Sequence, residues 1–211
     1  MLQNPLAAAS LVIAFSAQIA GATTLNFDNY VDATNLNGVN LGGVTITNPS
    51  GMVQVYSNRM GVGSHSGLNA IASLYGSFSA SSNPMVFVFD TAVSFVELFA
   101  GDAGGPSGDF DQWTMNVYDA VTGGNLLASL TSPVFQGSPY AGLSYSGTGV
   151  RRIEAIWTAP GCCGIGFDDL TFTAGTGGGG GTPAPVPLPA GGLLLSGALA
   201  AIGLARRRKR A

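Results

Sequence analysis

Between Thr23 and Ala174 no window places apolar residues at helical spacing for three turns. Short β-rich runs recur instead, separated by Gly, Ser, Asn and Pro. They are Thr24–Asp28, Val44–Thr47, Val53–Ser57, Met85–Phe89, Val93–Phe99, Trp113–Tyr118, Asn125–Leu130, Val150–Trp157 and Gly166–Phe172. In Trp113-Thr-Met-Asn-Val the apolar residues alternate, which predicts a strand with one wet face. Met85-Val-Phe-Val-Phe is apolar throughout, which predicts a central strand covered on both faces. This pattern predicts an all-β domain over residues 23–174, with two packed antiparallel sheets forming a sandwich of the jelly-roll kind. No internal period of about 20 to 50 residues is present, which disfavours a solenoid or propeller.

Both ends read differently. Residues 1–22 carry an apolar run from Leu6 to Phe15 and then Ala20-Gly21-Ala22, a small-x-small site that signal peptidase would cut before Thr23. No Lys or Arg precedes the run, so the terminal amine alone supplies positive charge there. At the other end, residues 175–185 form a Gly/Pro-rich linker, flexible and then extended. Residues 186–211 follow as Val186-Pro187-Leu188-Pro189-Ala190, an apolar run to Ala205, and the basic cluster Arg206, Arg207, Arg208, Lys209 and Arg210. As a helix, residues 188–205 would measure about 27 Å, enough to cross the hydrocarbon core. The basic cluster would stop transfer and stay on the cytoplasmic side, leaving the domain outside.

The Val-Pro-Leu-Pro-Ala motif, the short apolar helix and the arginine-rich end, in that order, resemble the VPLPA variant of the PEP-CTERM sorting signal of Gram-negative bacteria. The resemblance covers roughly residues 183–211. It implies recognition by an exosortase, a membrane-embedded cysteine transpeptidase. It also implies a transient stay in the inner membrane, cleavage near the motif, and delivery to the cell surface or the exopolysaccharide matrix. The opening Leu-Asn-Phe-Asp and the closing Gly-Ile-Gly-Phe-Asp-Asp-Leu-Thr-Phe resemble the flanking strands of secreted PEP-CTERM sandwich domains. Those are similar in layout to galactose-binding-like and carbohydrate-binding jelly rolls. The resemblance implies that the first and last strands pair, bringing Asp28 close to Asp168 or Asp169.

Charge sharpens the division. Only 9% of residues are charged, against roughly 25% in an average soluble domain. The formal total of −3 hides two parts. Residues 23–174 hold all eleven acids against Arg59, Arg151 and Arg152, a formal −8, while the last six residues hold five cations. A body of that charge has no basic patch for phosphates, so nucleic acid is excluded as a partner.

Clustered carboxylates suit a hard divalent cation such as Ca²⁺, which takes oxygen ligands. Asp28 with Asp168 and Asp169 is one candidate set, and Asp102, Asp109 and Asp111 in a glycine-rich segment are another. Solvated acids on exposed turns are the alternative for each set. Cys162 and Cys163 are the only cysteines and are adjacent, so an oxidising compartment favours a strained vicinal disulfide over two thiols.

His65, the only histidine, lies in Gly63-Ser-His-Ser-Gly, where a nucleophile elbow would have serine at its centre. A glycine- and serine-rich surface loop is the plainer reading. Glu97 and Glu154 are acids that a two-carboxylate glycosidase would need, although Glu97 would equally face solvent and Glu154 pair with an arginine. Trp113, Tyr118, Tyr140, Tyr145 and Trp157 are rings available to stack on sugars, with core or edge packing as the alternative for most. The expectation is a non-enzymatic exported surface or matrix protein binding polysaccharide and calcium. The alternatives are a secreted glycan-acting hydrolase and a purely structural adhesin.

Overall fold

The computed structural model describes residues 21–49, 51–57, 64–72, 84–102, 110–136, 140–158 and 165–175. Residues 1–20 of the expected signal segment, the sorting motif with its expected helix and basic end, Asp109, Cys162 and Cys163 lie outside the described residues. Every regular element among the described residues is a β-strand: β1 (Ala22–Leu25), β2 (Val44–Thr47), β3 (Gln54–Ser57), β4 (Asn69–Ala72), β5 (Met85–Asp102), β6 (Trp113–Tyr118), β7 (Leu126–Thr131), β8 (Ala141–Trp157) and β9 (Ile165–Ala174). All pairings are antiparallel.

Two long strands, β5 and β8, run through both halves of the structure. In the first half Met85–Phe89 of β5 lies between β2 and the end of β8, and Trp113–Tyr118 of β6 continues outward from Arg152–Trp157 of β8 to β7. In the second half Val93–Asp102 of β5 lies between Ala141–Val150 of β8 and β9. The far edge of β9 is shared, with β1 pairing at Leu170–Thr173 and β4, backed by β3, at Phe167. The β5–β8 register shifts between Val88 and Phe95, where both strands turn from one half-sheet to the other.

The halves pack face to face in a sandwich-like arrangement. Phe89 of β5 meets Phe172 of β9 with ring centroids 5.3 Å apart, and Trp113 of β6 meets Phe167 of β9 edge-on at 5.5 Å. These rings belong to one continuous core that also takes Val44, Ile46, Leu98, Met115 and Ile153. Leu36 and Leu41 seal its open side from the long β1–β2 connection, which is pinned by Leu36 N–H donating to the Val53 carbonyl.

The alternation in Trp113–Tyr118 is strict, with Trp113, Met115 and Val117 buried. Met85–Phe89 departs from expectation: Met85, Phe87 and Phe89 are buried, but Val86 and Val88 are only half-buried. Among the described residues no second layer covers that outer face; there Val86 and Val88 stand opposite Glu154 and Arg152 of β8. Met85–Phe89 and Val93–Phe99, expected as two strands, form one, because the polar Asp90-Thr91 step lies where β5 bends and not at a turn.

Candidate functional site

The first and last strands pair, with Leu25 opposite Leu170 and Ala22 opposite Thr173. Beyond this pairing Asp28, Asp168 and Asp169 gather around one loop, Ser64–Asn69. The Asp28 Oδ1 atom accepts the Leu68 and Asn69 N–H groups at 2.8 and 3.0 Å. Asp168 Oδ2 accepts the Ser66 N–H at 3.0 Å. Asp169 accepts the Ser66 hydroxyl on Oδ1 at 2.7 Å and faces His65 Nδ1 with Oδ2 at 2.6 Å. An ionised carboxylate only accepts, so in this contact Nδ1 is the donor.

In a regular strand, consecutive residues point to opposite faces, and Asp168 and Asp169 could not both reach this loop. Asp169 has φ +46°, and the β5–β9 register slips between Glu97 opposite Thr171 and Phe99 opposite Asp168. This bulge turns both acids toward Ser64–Asn69. The Asp28 carboxylate rests directly on Gly67, whose φ of +59° suits glycine. Burial pushes Asp168 up to about 7, helped by the neighbouring Asp169 charge, while the Ser66 and Asp169 N–H groups pull the other way.

Each of the three carboxylates thus accepts at least one donor from this loop, and no three His, Cys, Asp or Glu side chains among the described residues are grouped to hold a metal ion. The serine hydroxyl and the imidazole sit on the same carboxylate. A Ser/His/Asp triad needs the hydroxyl on the imidazole, so Ser66, Asp169 and His65 form a clamp and not a proton relay. Ser64 donates its hydroxyl to the Gly67 carbonyl at 2.6 Å, which closes the same loop.

The clamp presents a ring. His65 stacks on Phe99 with centroids 3.7 Å apart and planes 13° from parallel. Phe99 in turn lies flat on Gly142 of β8, its partner in the register; a methyl group on Gly142 would come within 2.6 Å of the Phe99 ring. The order outward is strand backbone, phenyl ring, imidazole, solvent, and 36% of the His65 side chain remains exposed. Tyr140 stands beside it at 5.9 Å, tilted by 56°. Along the same outer face Glu97 lies between Ser144 of β8 and Thr171 of β9, and the Thr171 hydroxyl bonds that of Thr24 on β1 at 2.8 Å.

The remaining sequence-derived residues lie elsewhere. Trp113 is fully buried, with its indole N–H on the Ala141 carbonyl at 3.2 Å, so it is a core residue and not a sugar-facing one. Tyr145 packs against the core edge, on the inner side of β8. Trp157 donates its indole N–H to the buried carboxylate of Asp111 at 2.9 Å. Tyr118 lies under the Arg152 guanidinium at 4.0 Å and donates its hydroxyl to Glu154, and burial followed by the Glu154 charge raises its pKa. Glu154 pairs with Arg152 at 3.1 Å, as its sequence neighbourhood predicted. Asp102 is the last residue of β5.

Of the stack, sequence reasoning singled out His65 and Tyr140 but missed Phe99. Two adjacent aspartates inside a strand run were the available signal for a bulge, and a Gly/Ser-rich loop with one histidine was the signal for what the bulge holds.

Neither a family model nor a curated protein matches the chain. Among solved structures the chain is similar to the K2 cleaved adhesin domain of Lys-gingipain, at 14% identity over 72% of this chain and 99% of that one, with a TM-score of 0.49. It is similar also to the K1 cleaved adhesin domain of Lys-gingipain from Porphyromonas gingivalis, at 10% identity over 74% and 99%, with a TM-score of 0.47. A third likeness is to the CBM22-1-GH10 modules of a Clostridium thermocellum endo-1,4-β-D-xylanase complexed with xylohexaose, at 14% identity over 73% and 28%, with a TM-score of 0.39.

Proposed function

We propose that this chain is an exported, non-enzymatic surface or matrix protein whose jelly-roll-type domain binds polysaccharide on the outer face of the second half-sheet. The observation that carries this reading is the His65–Phe99 stack, with the imidazole partly exposed and bonded to Asp169. Planar rings fixed before binding accept the apolar face of a sugar with little ordering cost, and hydroxyls nearby serve its polar rim. Export and sorting rest on the Val186–Ala190 motif and the basic end, with signal peptidase and an exosortase as partners in transit. Calcium belongs to this reading only as a proposal, with Asp28, Asp168 and Asp169 as one acidic set and the segment from Asp102 to Asp111 as the other.

The test is co-sedimentation of the full-length chain with a panel of insoluble polysaccharides. At least one should retain it, and Phe99→Ala or His65→Ala should each weaken retention by about tenfold. No retention across the panel would leave the purely structural adhesin. Retention untouched by either variant would move the site off this face. Release of reducing ends would favour the hydrolase.

A further inference from the structure

Among the described residues, the outer face that carries the stack holds few charges. Glu97 is its described acid beyond the clamp, half-buried and set two residues along β5 from Phe99. Residues two apart on a strand share a face and lie about 6.7 Å apart. The residues opposite Glu97 are Ser144 and Thr171, and Thr24 follows across the next strand. A sugar stacked on His65 thus has its neighbouring residue over a carboxylate framed by hydroxyls. The described cations of the body are engaged elsewhere. Arg152 holds Glu154 and the Ala120 carbonyl, and Arg151 reaches the Asp90 carbonyl. His65, when protonated, is paired with Asp169.

We infer that this face selects glycans bearing free amino groups over their acetylated forms and rejects carboxylated or sulfated polymers. The inference rests on the polysaccharide-binding reading above and adds the charge class of the ligand. An ammonium on the sugar next to the stacked one meets Glu97 while its ring keeps the hydroxyl contacts. An acetamido group at the same place keeps the hydroxyls and loses the ion pair. A uronate meets a like charge, within a body that carries −8 over residues 23–174. One exposed ion pair is worth up to about fivefold in affinity, and repetition along a polymer multiplies it.

The experiment is calorimetric titration of the full-length chain in detergent with three probes: N-acetylglucosamine oligomers, the same oligomers deacetylated, and a polyuronate. The deacetylated oligomer should bind about fivefold more tightly than the acetylated one at low salt, and the polyuronate should give no heat. The advantage should vanish at about 1 M salt, where exposed charges are screened within about 3 Å. It should vanish also in Glu97→Gln, while the affinity for the acetylated form stays. Equal affinity for the two oligomers, or an advantage that survives Glu97→Gln, overturns the inference and leaves the platform standing. So does silence of all three probes while another neutral polysaccharide still binds. If no polysaccharide of the panel binds at all, the platform reading itself falls.

Discussion

The two half-sheets share β5 and β8 and one core, yet they are built differently. In the first, β6 pairs with β8 residue for residue from Trp113 opposite Trp157 to Tyr118 opposite Arg152, and slips only against β7, at Val117–Tyr118 by the hairpin connection. Its outer polar groups satisfy one another, as Arg152, Glu154 and Tyr118 do. In the second, β9 slips past β5, Asp169 and Phe27 take positive φ, and two adjacent acids turn to one loop. Strain of this kind costs about 1–3 kcal/mol per residue and persists only where surrounding contacts hold it.

The largest effect is expected where the halves meet. Trp113→Ala should cost about 3–5 kcal/mol, because removing a fully buried indole packed on Phe167 leaves a cavity and deletes its hydrogen bond to the Ala141 carbonyl. Denaturant unfolding should remain a single transition, since β5 and β8 pass through both halves. Two resolved transitions in this variant would show that the halves are separable units.

Next is the response to pH. Asp168 sits at 3.8 when unfolded and near 7 when folded, so between those values the native state holds a proton that the unfolded chain lacks. Stability from this group is therefore full below about pH 4, falls as pH rises, and levels off above about 7, a loss of a few kcal/mol in all. Melting temperatures across that window should decline in the parent chain and flatten in Asp168→Asn. A slope that persists in the variant would place the buried proton on another group.

The same contrast governs what could be read from the chain. β2 and β6 were legible to the residue, because one buried face imposes strict alternation. β4 was missed because Asn69-Ala70-Ile71-Ala72 is short and buried on both sides, so it has no alternation to show. Ala141–Gly149 was missed because its two inward apolar residues, Leu143 and Tyr145, stand among Gly, Ser and Thr, too sparse an apolar pattern to mark a strand. Asp28 and Asp168 stood out as Phe-Asp pairs, and the pairing of first and last strands did bring them near one loop. That the loop carries His65 onto Phe99 was illegible, since those residues are 34 positions apart and meet only through the bulge in β9.

A smaller effect separates local strain from contact. Gly67 and Gly123 share φ +59°, but a Cβ on Gly123 would meet open space, whereas on Gly67 it would enter the Asp28 carboxylate. Gly123→Ala, in the β6–β7 connection, should cost about 1 kcal/mol and leave glycan retention unchanged. Gly67→Ala should cost about 1–3 kcal/mol and lower retention, because the loop must leave Asp28 and carries His65 with it. Urea midpoints give the first comparison and co-sedimentation the second. Equal costs with full retention in both would mean that the Asp28 contact does not fix the ring.

The smallest effect discriminates most finely. Each half carries one cross-strand threonine pair on its outer face: Thr114 with Thr131 at 2.9 Å in the first, and Thr24 with Thr171 at 2.8 Å in the second. Such pairs contribute about 0.2–1 kcal/mol each, so Thr114→Val and Thr24→Val should shift the urea midpoint alike and only slightly. Their consequences for binding should differ. The Thr24–Thr171 pair continues the hydroxyl row beside Glu97, and the other pair lies on the face where the Tyr118 ring is covered by Arg152. Thr24→Val should therefore weaken glycan retention by a few-fold, while Thr114→Val leaves it unchanged. Equal stability with unequal binding would show that the two outer faces differ in use and not merely in regularity. Equal losses of binding in both variants would mean that retention follows stability, and the assignment of function to the irregular half would fail.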